Sequence, residues 1–72
     1  MQELYESAIA LMTTGDLKLR GMKYEEAKQD YIAASDIFLN LAKNSDSAVT
    51  VTLAKRKIQD LITKVRVECE GS

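Results

Sequence analysis

The sequence contains no histidine and no proline, and only one cysteine and three glycines in 72 residues. Without histidine, His-dependent catalytic triads and His-containing zinc sites are excluded. A single cysteine rules out an internal disulfide and any Cys-x-x-Cys redox pair. With no proline and so little glycine, the chain lacks the residues that turn the strands of an all-β fold. Neither sign of charge dominates: 10 Lys and Arg face 11 Asp and Glu, a net charge of −1. That balance offers no basic surface to nucleic acid or to an anionic membrane. No apolar run approaches the roughly 18 residues of a membrane span, and no basic-then-apolar leader opens the chain. Together these absences predict a reduced, cytoplasmic setting, because so small a secreted domain would ordinarily carry disulfides.

What is present favours helices. Ala, Leu, Lys, Glu and Ile are the common residues, and the apolar share of 46% is enough for one small core. The length is about half that of an ordinary domain, so a single domain is expected over residues 1–69, as a piece of a larger protein. Three helical segments are expected, at about 3–20, 24–43 and 47–69. Gly21-Met22-Lys23 stops the first and Asn44 the second, while Ser45, Asp46 and Ser47 are N-cap candidates for the third. Residues 70–72 read as a frayed tail whose Gly71-Ser72 has the look of an added remnant.

Each segment carries an apolar stripe at helical spacing. The first has Leu4, Ala8, Leu11, Met12, Gly15 and Leu19, and the second Tyr24, Ala27, Tyr31, Ala34, Phe38 and Leu41. The third has Val51, Ala54, Ile58, Leu61 and Val65. Three such helices with short connections predict an all-α fold, an antiparallel three-helix bundle, monomeric in isolation. Tyr24, Phe38, Ile58 and Leu61 are expected in its buried set. Gly15, Ala27 and Ala34 lie within the stripes, where small residues let backbones approach.

Apolar residues off the stripes point to binding. Ile32 and Leu39 are seven apart, about 100° from the centre of the second stripe, beside Lys28 and Ser35. Ile62 sits at the edge of the third stripe, flanked by Lys55, Gln59 and Arg66. If the second and third helices are neighbours, these residues rim a shallow groove with an apolar floor and basic shoulders. Elsewhere, Leu53 and Val67 accompany Lys57 and Lys64 on the opposite side of the third helix, and Ala10 and Leu17 form an off-stripe pair on the first. Single exposed apolar residues are ordinary; two pairs aligned on facing helices are less so.

The run Tyr24-Glu25-Glu26-Ala27, followed by Tyr31, Ala34 and Phe38-Leu39 and preceded by Ala8-Ile9 and Leu11, resembles the MIT (microtubule-interacting and transport) domain. The resemblance extends over nearly the whole chain. It implies a non-catalytic module that recruits its parent protein, an ATPase, deubiquitinase, protease or kinase, to ESCRT-III subunits. MIT domains hold the C-terminal motifs of those subunits, one class as a helix between the second and third helices, another extended between the first and third. The first groove would then consist of Lys28, Ile32, Ser35, Leu39, Lys55, Gln59, Ile62 and Arg66, its basic residues meeting acidic tails. The second would take Ala10, Leu17, Leu53 and Val67. No metal, cofactor, nucleic acid or membrane insertion is implied, and affinity is expected to be modest. The cytoplasmic module would be drawn to endosomal or other ESCRT-bearing membranes.

Other classes stand beside this one. Gly15, Ala27, Tyr31 and Ala34 also keep spacings of a tetratricopeptide unit. The Gly21–Tyr24 stretch is one residue too long for that repeat, its closing proline is missing, and a lone repeat cannot cover its faces. A spectrin-like or other helical interaction segment is a further alternative. An enzyme finds little support. Glu25-Glu26 and Asp30/Asp36 are the main carboxylate groups, and neighbours in a helix do not face one another. Cys69 has Arg66 three residues before it, which would lower its pKa, but has no base. Ser45-Asp46-Ser47 is better explained as a cap, and there is no Gly-rich phosphate loop. No catalytic residues are therefore expected.

Overall fold

The computed structural model describes residues 2–70, and within them the fold is an antiparallel three-helix bundle: α1 (Gln2–Arg20), α2 (Tyr24–Asn44) and α3 (Ala48–Lys64). A π-helical turn, Val65–Cys69, extends α3. The antiparallel pairing of α1 with α2 is fixed by two contacts at opposite ends. Tyr5 meets Phe38 edge-on, with ring centroids 5.9 Å apart, and the Tyr31 hydroxyl donates to Asp16 Oδ1.

α2 lies between the other two helices and packs along both, whereas the backbones of α1 and α3 hardly approach each other. The Cα trace measures 38 × 23 × 13 Å, the proportions of three rods set in a shallow arc. The buried set follows from that centrality. Ala27, Tyr31, Ala34, Phe38 and Leu41 of α2 supply most of it, joined by Ala8 of α1 and by Ala54 and Leu61 of α3. Ile9, Leu11, Met12, Leu19, Ile58 and Val65 pack against this core while keeping some exposure.

Gly15 is required where it stands. A Cβ there would lie 2.8 Å from Tyr31 Cε1 and 3.0 Å from Cδ1, so the fully buried Tyr31 ring would have to shift from its packed position. Beside it, one carboxylate ties all three helices. Asp16 Oδ1 accepts from Tyr31 and from Lys64 Nζ at 2.8 Å, and the same ammonium sits 5.5 Å over the Tyr31 ring. Partial burial raises the Asp16 pKa, but hydrogen bonds from Lys64 and Tyr31 outweigh it, so the carboxyl titrates below its ordinary value. Burial, with the Asp16 carboxylate, drives the Tyr31 phenol upward.

The helix ends match the sequence signals with informative exceptions. Ser47 is the N-cap of α3, its hydroxyl accepting from Thr50 N at 3.4 Å, while Ser45 Oγ accepts from Ser47 N at 3.1 Å. After α1, Lys23 N bonds Lys18 O at 2.9 Å and Met22 N bonds Leu19 O at 3.0 Å, the paired closure of a Schellman turn. Its left-handed position is held by Met22, at φ 62°, and not by Gly21 one residue earlier. Met22 is 74% exposed, so its side chain contributes little packing against that strain. Met22→Gly is therefore expected to stabilise the fold by about 0.5–1 kcal/mol. A thermal midpoint that stays level or falls in this variant would show the turn to be unstrained.

Two expected core positions are corrected. Tyr24 and Leu4 are each 42% exposed. Tyr24 begins α2, three residues outside Ala27, the first buried residue of that helix, and Leu4 lies four residues before Ala8, the first buried residue of α1. Periodicity places a residue on a face but not within the length over which that face is covered. Ile58, on the central stripe of α3, is only partly buried.

Candidate functional site

Along one side of the slab, α2 and α3 leave a hollow of about 130 Å³. Its floor is made by Tyr31, Leu61 and Val65, and its rims by Ile32 and Ser35 on α2 and by Ile62 and Arg66 on α3. Helical geometry explains the pairing. Ile32, Ser35 and Leu39 lie one, two and three turns beyond Lys28 on one flank of α2. Ile62 follows the buried Leu61 and so emerges on the α3 flank turned toward them. Ile32, Leu39 and Ile62 are each a little under half exposed, and Ser35 Oγ donates inward to Ile32 O at 2.8 Å. Each rim therefore pairs an isoleucine with a polar residue, and Ser35 is the smallest side chain among them.

The remaining groove residues are spread more widely. Lys55 and Gln59 lie farther round α3, in a shallow dish with Thr52, Arg56 and Asp60. Lys28 marks the far end of the α2 flank, where its Nζ meets Glu70 Oε2 at 3.0 Å. That carboxylate holds the lysine above its ordinary pKa. Charge is unevenly shared among the helices. α3 bears Lys55, Arg56, Lys57 and Lys64 against Asp60 alone, while α1 and α2 together carry more acidic than basic residues.

The residues expected to form a second groove, Ala10, Leu17, Leu53 and Val67, are all exposed. Ala10 and Leu17 follow the buried Ala8 and Gly15 by two residues, about 200° of helix rotation, and both are exposed on the outward side of α1. Leu53 does lie on the α1-facing flank of α3, the one from which Lys64 reaches Asp16. Val67 falls in the π-turn and is well exposed.

Tyr31, Leu61 and Val65 were legible as stripe residues but not as the floor of a hollow, because one side chain serves both purposes. Glu70, expected in a frayed tail, is instead tied to Val65 O through its N–H and to Lys28 through its carboxylate, a partner too remote in sequence to leave a signal; the rest of that expected tail, Gly71 and Ser72, lies outside the described residues. Cys69 is corrected in direction. Partial burial and the neighbouring Glu68 push its thiol upward, not downward as Arg66 alone would. Among the described residues no cluster of three His, Cys, Asp or Glu could hold a metal, and no helix is long and apolar enough to cross a membrane. No family model, curated protein or solved structure matches the chain.

Proposed function

We propose that this chain is an MIT-like peptide-binding module that recruits its parent protein to ESCRT-III subunits by holding their C-terminal motifs along the α2/α3 groove. The observation that carries this reading is the hollow between Ile32 and Ile62. At about 130 Å³ it falls well below the roughly 300–1,000 Å³ of small-molecule sites. It suits one aliphatic side chain presented by a larger partner, with Leu39 continuing the apolar track for a second. An amphipathic helix supplies anchors at that spacing. Lys28, Lys55 and Arg66 would meet acidic residues flanking those anchors, and the cytoplasmic module would follow its ligand to endosomal membranes.

The test is titration of the isotope-labelled domain with a panel of ESCRT-III C-terminal peptides at low salt. Amide signals should shift in one contiguous patch around Ile32, Ser35, Leu39, Ile62 and Arg66. Silence across the panel overturns the proposal. The tetratricopeptide-like alternative would then gain, since the Gly15–Tyr31 approach serves that kind of helix pair equally well.

A further inference from the structure

Just beyond one end of the α2/α3 hollow the chain places a carboxylate of its own. The π-turn ends with Glu70 N bonding Val65 O at 2.9 Å, a five-residue step in place of the usual four. The wider turn leads the chain round so that the Glu70 carboxylate reaches α2, 3.0 Å from Lys28 Nζ. Lys28 lies one turn before Ile32 and two before Ser35 on the groove flank, and Arg66 stands at the same end on α3. A carboxylate is thus already seated on one of the cations that an acidic ligand would use.

We infer that Glu70 is a built-in competitor, occupying Lys28 while the groove is empty and yielding it to a carboxylate of a bound acidic helix; this rests on the α2/α3 groove being the binding site. Both partners are partly open to solvent, Lys28 at 32% and Glu70 at 46% of side-chain exposure, and ion pairs at the surface are weak and readily exchanged. Displacing Glu70 replaces one carboxylate by another, so a ligand gains little from Lys28 beyond what the empty groove already has. Glu25, which also acts on Lys28, adds to the negative field that a ligand carboxylate must enter. The device lowers affinity for acidic helices selectively and leaves anchoring by apolar residues untouched.

Two synthetic helical peptides test this, one with leucines along one face flanked by glutamates, the other with glutamines replacing those glutamates. Binding is measured by fluorescence anisotropy at low and high salt. Glu70→Gln should tighten the glutamate peptide about two- to fivefold at low salt. The gain should shrink at high salt as charges are screened. It should be absent for the glutamine peptide, and absent when Lys28→Met is combined with Glu70→Gln. Circular dichroism of Glu70→Gln should match the wild type. Wild-type binding that Glu70→Gln leaves unchanged or weakens overturns the inference alone. So does a gain shared by both peptides, or one that survives Lys28→Met, because either would mean a loosened helix end and not a released cation. Failure of every form to bind either peptide removes the groove reading, and the inference with it.

Discussion

Phe38→Ala is expected to cost about 3–5 kcal/mol and to leave the domain at or beyond the edge of folding. Phe38 has no exposed surface. The buried set around it is rich in alanine, Ala8, Ala34 and Ala54, and short side chains cannot reach into the space that a phenyl ring vacates. The cavity would therefore persist, and the edge-on contact with Tyr5 would be lost with it. A chain of 72 residues has a total stability of roughly 4–11 kcal/mol at the usual 0.05–0.15 kcal/mol per residue. One substitution thus consumes a large part of it. Urea and thermal denaturation followed by circular dichroism supply the measurement. A midpoint indistinguishable from wild type would mean that α2 is not the centre of the core.

Ile62→Asp is expected to abolish binding of a helical peptide to the α2/α3 groove while the fold survives. Ile62 is 43% exposed beside Leu61 at 1%, so the mutated side chain can remain in water in the free protein. Docking an apolar anchor into the hollow would then bury a carboxylate without a partner, a cost of several kcal/mol. An acidic ligand would be repelled as well. The free protein should lose only about 1 kcal/mol, from poorer helix propensity and a negative charge near a helix C-terminus. Leu53→Asp, on the α1-facing flank of α3, is the matched control and should bind as wild type. Peptide titration and melting curves on both variants decide the matter. If Ile62→Asp binds normally and Leu53→Asp does not, the ligand uses the opposite side of α3. If Ile62→Asp unfolds, Ile62 belongs to the core.

The features legible in the sequence were those governed by near neighbours. The α1 end at Arg20, the Ser47 cap and the apolar flanks holding Ile32, Leu39 and Ile62 all follow from residue type and a 3.6-residue period. Features set by distant parts of the chain were not legible. Tyr24 and Leu4 fit the periodic pattern, yet their exposure depends on how far each neighbouring helix extends. Ala10 and Leu17 lie off the α1 stripe, and such residues carry no mark of which neighbour they face. The Lys28–Glu70 pair needed both the antiparallel course of α2 and α3 and a π-turn that no local signal announced. The left-handed Met22 escaped because Gly21 beside it is the residue ordinarily given that role.

The concentration of positive charge on α3, against a net acidic α1 and α2, gives the domain an electrical front and back. An acidic chain segment diffusing nearby feels attraction from the α3 side and repulsion from the other, out to about 10 Å at 0.1 M salt. For the proposed acidic ligand, collisions would be oriented before any apolar contact forms, and productive ones would begin over Lys55 and Arg56, next to the groove rim and not within it. Such steering acts on association rates, while the buried apolar anchors govern how long a complex lasts. A ligand would therefore arrive by its charges and stay by its aliphatic side chains. Ionic strength would set the pace of its capture more than the duration of its stay.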